Sequence, residues 1–284
     1  MSAVRDGRRP RSFWVLAWVF AGFVLFLYGP LSAIVILSFQ GPSGGLTFPM
    51  QDVSTRWFRA LFEQQRVGDF KGSFLRSFEL GLVVTALTVV CALAAGLAFR
   101  RGFRGSTVVL YLALASMIVP SLLISLGIGL MFTLLGLEPA WYSSALGAHL
   151  TWTVPFGLLI VLAVFNRFDK SYEEAARDLG ATGWQTLRYV VLPLIAPSLI
   201  GVALFSFTLS YDEFSRTLLT AGTFNTLPLE IYGMTTNITS PALYALGTLT
   251  TAFSLGVILV AVGAALVIQR RARPGRARAA EPAS

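Results

Sequence analysis

The chain has 284 residues, of which 55% are hydrophobic and 13% charged, and it carries a formal net charge of +8. A soluble domain has roughly 25% charged residues, so this composition indicates an integral membrane protein and argues against a water-soluble domain. A single histidine and a single cysteine exclude an internal disulfide and a metal site built from several Cys and His side chains.

Six stretches of the chain are apolar enough to cross a bilayer, which takes about 20 residues of helix. We therefore predict an all-α integral membrane protein with six transmembrane helices. The first stretch is longer than the roughly 7–15 residues of a signal-peptide core, so it is predicted to remain as a span. Prolines inside the stretches predict kinks. The stretches run over about 13–39, 74–99, 107–135, 142–165, 194–219 and 246–268.

Basic residues are distributed unevenly between the two sets of loops. Sixteen of the 22 Lys and Arg residues fall in the two tails and in the loops after the second and fourth spans, and six fall elsewhere. By the positive-inside rule, both termini are predicted to be cytoplasmic. The same rule accounts for the basic excess without a nucleic-acid partner.

Three regions follow from these boundaries. Residues 1–71 are predicted to hold the cytoplasmic N-terminus, the first span and an external loop. In that loop, "WFRALFEQQRVGDF" is predicted to lie along the membrane as an amphipathic helix. Residues 72–268 form a five-helix core. Residues 269–284 form a basic tail with little apolar content, which is predicted to be disordered.

The segment "SYEEAARDLGATGWQTLRYVVLPLIAP", residues 171–197, is amphipathic and charged although it lies between two apolar spans. Ser171 and Glu174 fit an S-x-x-E capping box, which predicts a short helix over about 172–179. Gly180 is the residue type that ends helices in a left-handed conformation. Thr182 is predicted to cap a second helical piece.

The first of these helices has a small apolar face made by Ala175, Ala176 and Leu179. Because the alanines lack bulk, another protein can approach this face closely. A solvated amphipathic connector is the alternative interpretation.

The same segment resembles the EAA signature of ABC importer permeases, E-A-A-x3-G-x9-I-x-L-P, with Val190 in place of isoleucine. The resemblance covers about 72–268 and implies a MetI-like type I importer core. It also implies that a cytoplasmic coupling helix, about 172–180, docks on an ATPase subunit. The ATPase-coupling residues so identified are Glu173, Glu174, Ala175, Ala176, Leu179, Gly180, Leu192 and Pro193.

The resemblance implies a non-catalytic transport subunit of the bacterial cytoplasmic membrane. Neither Lys71 nor Lys170 lies in a G-x-x-x-x-G-K-[ST] phosphate loop, so ATP and Mg are expected on a partner ATPase and no cofactor on this chain. The expected partners are a second homologous permease subunit, two cytoplasmic ATPase subunits, an external solute-binding protein and the lipid bilayer.

Two carboxylates, Asp212 and Glu213, are predicted at membrane depth near the end of the fifth span. Asp212 follows Pro197 by 15 residues, or about 22 Å of helix. Charged groups at such depth usually face a protein interior or a solute path. The alternative is an intrahelical ion pair with Arg216. The predicted substrate-path residues are Tyr211, Asp212, Glu213 and Phe214.

Two carboxylates beside one arginine leave one negative charge over, which favours a cationic solute. The stretches "YDEF…LTAG" and "TLPLEIYGM…SPALYALGTL" resemble the spermidine/putrescine-type permeases, and this implies a polyamine. An importer permease for a different solute and an autonomous ion-coupled carrier remain as alternatives. His149 is predicted to be a hydrogen-bonded packing residue and Trp152 a membrane-interface anchor.

Overall fold

The computed structural model describes residues 11–43, 45–63, 68–237 and 240–271. Regular structure in these ranges is helical, apart from one isolated bridge between Gln40 and Val53. This confirms the all-α prediction. The predicted disorder of the tail from residue 272 onward lies outside the described residues. The helices are α1 Arg11–Leu37, α2 Arg56–Ala60, α3 Phe70–Arg101, α4 Ser106–Ile118, α5 Ser121–Leu134, α6 Ser144–Asn166, α7 Ser171–Asp178, α8 Gly183–Thr186, α9 Leu192–Tyr211, α10 Leu227–Asn237 and α11 Ala242–Arg271.

Five helical segments in the described ranges are long and apolar enough to cross a membrane. One of them is composite: α8, a π-helical turn over Leu187–Val191 and α9 run together from Gly183 to Tyr211. A sixth span is completed by α4 and α5 if the two are taken as one broken span. The others are α1, α3, α6 and the Ala242–Ala264 part of α11.

The third predicted span is broken and not merely kinked, because α4 and α5 meet at an angle of 103°. Val119, between the two helices, has an extended backbone with φ −65° and ψ 128°. The residue before a proline is driven out of the helical region, and Pro120 itself has no N–H to donate. The local chemistry at Pro120 therefore ends one helix and begins another.

The fifth span ends earlier than predicted, since α9 ends at Tyr211 and not near residue 219. Turns follow instead of helix. The Glu213 carboxylate accepts a hydrogen bond from the Arg216 backbone N–H at 2.8 Å, and the Thr217 hydroxyl donates to the Glu213 carbonyl. Side chains that bond the nearby backbone in this way compete with the helical ladder.

The chain divides into two compact units. In the first, which comprises 1–68 and 234–252, Gln40 organises the loop after α1. Its side-chain amide oxygen accepts from the Gln51 N–H at 3.0 Å, and its backbone carbonyl accepts from the Trp57 indole N–H at 2.8 Å. The predicted amphipathic surface helix is limited to the five residues of α2, and residues 64–67 lie outside the described residues. The predicted three-region division stays a prediction.

The second unit, 69–233 and 253–284, is built on α3, α6 and α9, which pack extensively against one another. Glycines allow the close approach. A Cβ at Gly96 would lie 2.4 Å from the Val161 side chain, and one at Gly157 would lie 2.9 Å from Thr88. Small residues at such contacts are typical of helix packing in membranes. The buried core here consists of Ala92, Val161, Phe165, Val191, Ile195 and Val202.

Candidate functional site

The predicted coupling helix is present as α7, but its N-terminus differs from the prediction. Lys170 is the N-cap residue, and no side chain of that residue caps the helix. The predicted Ser171–Glu174 capping box is wrong, because the helix begins at Ser171 itself. Asp169 serves this end instead, since its carboxylate accepts from the Ser171 N–H at 2.9 Å. That hydrogen bond holds the pKa of Asp169 below its usual value.

The C-terminal end of α7 agrees with the prediction. Gly180 has φ +83°, and its N–H donates to the Arg177 carbonyl at 2.8 Å. A Cβ at Gly180 would meet nothing within 4 Å, so backbone conformation and not crowding favours glycine here. Thr182 caps α8 as predicted, and Gln185 completes a reciprocal capping box with it.

No residue of α7 is buried, and the predicted coupling residues divide between its two sides. Glu174 and Ala175 are exposed, and Leu179 just beyond the helix is 90% exposed. Glu173 and Ala176 are half-buried on the opposite side. The remaining two coupling residues lie at the start of α9, where Leu192 packs against the buried core and Pro193 is exposed.

Sequence reasoning missed the partner of Glu173. Its carboxylate lies 2.6 Å from the guanidinium of Arg100, in the last turn of α3. The guanidinium also lies 4.8 Å from the ring centre of Phe165 and 5.3 Å from that of Phe168. From the sequence, Arg100 was only one of the basic residues that indicate orientation in the membrane, and no contact was predicted for it. The available signal was its opposite charge to the acidic first turn of α7.

The predicted substrate-path residues do not share one environment. Tyr211 is 2% exposed and belongs to an aromatic cluster. Its ring lies 5.7 Å from Phe207, 6.2 Å from Phe74 and 5.2 Å from Phe253. The Tyr211 hydroxyl is buried without a hydrogen-bond partner. Tyr211 is therefore held in place by its aromatic contacts and not by a hydrogen bond from its hydroxyl.

Asp212 is exposed and lines a narrow groove with Tyr211 and Phe207. The groove has a volume of only ≈ 10 Å³, room for about one water molecule, so it does not hold an organic solute in this conformation. Glu213 is 8% exposed and bonds the Arg216 backbone. Phe214 packs on Tyr232, with ring centres 5.0 Å apart. The structure thus brings Tyr211 and Asp212 to one groove and places Glu213 in the following turn.

The alternative ion pair between these carboxylates and Arg216 is not formed in the described part of the chain. Because α9 ends at Tyr211, the helical i and i+4 spacing on which that pair depended is lost. The guanidinium instead donates to the Thr151 hydroxyl at 2.7 Å and lies 5.0 Å from the Trp152 ring centre. Trp152 is therefore a partner of Arg216, which the sequence did not indicate.

His149 is 1% exposed and hydrogen-bonded at both ring nitrogens, as the packing prediction required. Nδ1 lies 2.8 Å from the Ser210 hydroxyl, and Nε2 lies 2.9 Å from the Thr217 hydroxyl. These contacts join α6 to α9 and to the turns after it. A buried polar group with both sites satisfied stabilises one arrangement of helices.

A second polar cluster lies at the beginning of α3. Asp69 and Arg76 form an ion pair at 2.9 Å, and the Asp69 N–H donates to Glu230 of α10 at 2.9 Å. Burial raises the pKa of Asp69, but the Arg76 guanidinium and the Gly72 N–H outweigh it and leave the pKa lowered. Arg76 also donates to the Asn225 carbonyl at 2.7 Å.

Long apolar helices in the described ranges, with a short exposed helix between two of the spans, give the organisation of a membrane-transport permease. The chain belongs to the family of binding-protein-dependent transport system inner membrane components, whose pattern matches residues 88–274. The resemblance to ABC importer permeases is thereby confirmed.

Relatives of known function cover most of the chain. It is 29% identical over 240 residues to the spermidine/putrescine transport system permease protein PotC of Escherichia coli (strain K12), covering 82% of this chain and 87% of the relative. It is 30% identical over 246 residues to the putrescine transport system permease protein PotI of the same strain, covering 84% and 86%.

Solved structures share the fold. A chain of a bacterial ABC transporter involved in import of the acidic polysaccharide alginate matches with a TM-score of 0.62 and 14% identity, covering 91% of this chain and 94% of that one. A chain of the inward-facing MetNI methionine ABC transporter matches with a TM-score of 0.52 and 17% identity, covering 72% and 99%. At these identities the likeness concerns the fold alone.

The chain is thus the permease subunit of an ABC importer, a multi-pass inner-membrane protein. Permeases of this family work with a solute-binding protein and with separate ATPase subunits, so ATP hydrolysis does not belong to this chain.

Proposed function

We propose that this permease imports a polyamine such as putrescine or spermidine. The observation that carries the proposal is the exposed carboxylate of Asp212, which is not paired with Arg216 and adjoins the aromatic cluster of Tyr211. Carboxylates and aromatic ring faces both attract ammonium groups. The similarity to PotC and PotI over more than four-fifths of the chain supports the same solute class.

The proposed assembly holds this chain, a second homologous permease, two ATPase subunits and an external solute-binding protein. ATP and Mg bind the ATPase subunits and no cofactor binds this chain. Both termini and α7 lie in the cytoplasm. Glu174, Ala175, Leu179 and Gly180 form the face that docks on an ATPase subunit.

Transport follows from two packing states of the helices. Closure of the ATPase pair moves α7, and the spans rearrange to open the path toward the binding protein. Hydrolysis resets the spans, and the solute leaves on the cytoplasmic side. The ≈ 10 Å³ groove at Asp212 is consistent with this scheme, because a solute path that opens to each side in turn is closed near Asp212 in one of its two states.

Replacement of Asp212 by asparagine tests the solute path. The assembled importer is reconstituted into liposomes with its binding protein, and uptake of radiolabelled putrescine is measured. We expect Asp212→Asn to lower uptake about tenfold or more, since a hydrogen bond to a charged group contributes about 1.5–3 kcal/mol. Assembly, measured by co-purification of the ATPase, should be unchanged.

Glu138→Gln is the matched control, because Glu138 is an exposed carboxylate in the loop between α5 and α6. Normal putrescine uptake by Asp212→Asn would contradict the role of Asp212. A wild-type importer that carries a different solute but not putrescine would contradict the polyamine proposal and leave the permease assignment intact.

A further inference from the structure

The α7 helix has no buried core of its own. None of its residues is buried, although it lies close to α8 and to the π-helical turn, and an open cavity of ≈ 330 Å³ lies among α7, the end of α3 and the beginning of the composite helix. Most helices in proteins are positioned by an apolar face packed on a core. The position of α7 therefore depends on its chain connections and on a small number of side-chain contacts. The cavity is lined by residues that include Leu97, Arg100, Glu173, Arg177, Thr186 and Leu187.

The ion pair between Arg100 and Glu173 crosses this cavity. It joins the last turn of α3 to the first turn of α7 at 2.6 Å. The two side chains are 16% and 17% exposed, so water and salt screen the pair less than a fully exposed one. A second contact, between the rings of Phe168 and Tyr172, joins the preceding loop to α7, and Phe168 in turn lies beside Arg100 of α3.

Aromatic rings fix the position of the Arg100 guanidinium. Phe165, at the end of α6, is 5% exposed and lies beneath it, and Phe168 lies beside it. Stacking on ring faces suits the planar guanidinium and leaves its N–H groups free to meet a carboxylate. One turn earlier, a Cβ at Gly96 would lie 2.4 Å from Val161 of α6. The guanidinium therefore moves with the tightly packed pair of α3 and α6.

The opposite end of α3 is also held by charged groups. Asp69 and Arg76 contact Glu230 and Asn225, and the Ser77 hydroxyl accepts from the Leu227 N–H at 2.8 Å. The 32 residues of α3 span about 48 Å of helix. One continuous element thus contacts α7 at one end and the N-terminal region of α10 at the other.

We propose that Arg100 is a positioning residue that, with Glu173, transmits displacement of α7 to the α3 and α6 pair. We call the two residues the α3–α7 strut. The inference rests on the proposed docking of α7 on an ATPase subunit. The strut uses the half-buried side of α7, where Glu173 lies, whereas docking uses the exposed side with Glu174, Ala175 and Leu179. The two roles are therefore separable by mutation.

A double-mutant cycle tests the strut. Arg100→Gln, Glu173→Gln and the double variant are prepared as complete importers in liposomes with the binding protein. Putrescine uptake, ATP hydrolysis and ATPase co-purification are measured on the same preparations. We expect each single variant to lower the putrescine taken up per ATP about fivefold or more, because coupling between sites commonly amounts to factors of about 5–150. ATPase co-purification should stay normal.

The double variant distinguishes a shared role from separate roles. If the residues act through each other, the double variant should lose no more than the worse single variant. Arg100→Lys, which keeps the charge, should restore part of the loss. Arg104→Gln is the matched control, because Arg104 follows α3 closely, is exposed and does not line the cavity.

Three outcomes would overturn the strut: unchanged uptake per ATP in the single variants, additive losses in the double variant, or loss of ATPase co-purification in the single variants. Crosslinking of a cysteine at Asp178 to the ATPase separates the two proposals. If a complex whose only substitution is Asp178→Cys does not form that crosslink, the docking of α7 is contradicted. Normal crosslinking with unaffected variants contradicts the strut alone.

Discussion

Arg216 illustrates how a single buried charge is accommodated in this fold. It is 1% exposed, and its guanidinium finds a hydroxyl of Thr151 and the ring face of Trp152. Its Nε atom has no hydrogen-bond partner. Desolvation of a charge is costly unless polar partners compensate it. The two contacts with α6 therefore hold the turns after α9 against that helix.

Thr151→Val should destabilise the permease, since it removes the hydroxyl that accepts from Arg216 and keeps the side-chain shape. Leaving a buried charged donor unsatisfied costs roughly 1–3 kcal/mol or more. The measurement is the midpoint of thermal unfolding of the purified importer in detergent. Thr85→Val is the control, because the Thr85 hydroxyl bonds only the Gly81 carbonyl of its own helix. Equal losses in the two variants would contradict a special role for Thr151.

At the scale of elements, α7 is defined at both ends by local chemistry. Asp169 bonds the backbone at its beginning, and Gly180 turns the chain at its end with φ +83°. The following α8 begins with its own capping box at Thr182. Of these two short helices only α8 buries a residue, Thr186, and their ends are fixed by caps and by one left-handed residue.

Gly180→Ala should weaken ATP hydrolysis linked to transport. A left-handed conformation costs an L-residue roughly 1–2 kcal/mol, so the end of α7 should loosen although space for the methyl group exists. Hydrolysis stimulated by the loaded binding protein is measured in the reconstituted importer. Gly183→Ala is the matched control, since it also has open space around it but no positive φ. Similar activity of the two variants would contradict the need for the left-handed turn.

At the scale of the whole chain, the break between α4 and α5 decides on which side each loop lies. If the pair crosses the membrane as one broken span, α7 lies on the same side as the loop between α3 and α4, because two spans separate them. Positive residues favour the cytoplasm for α7, in agreement with such a crossing. A pair that re-enters without crossing would invert the positions of every later loop.

Cysteine labelling tests this orientation. The native Cys91 is first replaced by serine, and single cysteines are introduced by Asp178→Cys and Glu138→Cys at exposed positions. We expect a membrane-impermeant maleimide to label Glu138→Cys in spheroplasts and Asp178→Cys only in inverted vesicles. The reverse pattern would identify α4 and α5 as a re-entrant pair.

Features that depend on composition or on a few adjacent residues could be predicted without a structure. Apolar stretches of sufficient length specify spans because a bilayer leaves the backbone no other way to satisfy its hydrogen bonds than a helix. The roles of Gly180 and Thr182 follow from residue type, because glycine adopts a left-handed conformation readily and a threonine hydroxyl caps helices. The EAA segment was found because its spacing is short and fixed, and the family match agrees with it.

The partners of the charged residues could not be predicted, because they lie on helices that are distant in sequence. Arg100 meets Glu173 across 73 positions of sequence, and Arg216 meets Thr151 across 65. A pattern of neighbouring residues favoured an ion pair of Arg216 with Asp212 or Glu213, because it assumed that the helix continued. The packing of α3, α6 and α9 sets which side chains lie within reach, and that geometry is fixed by contacts that no local pattern contains.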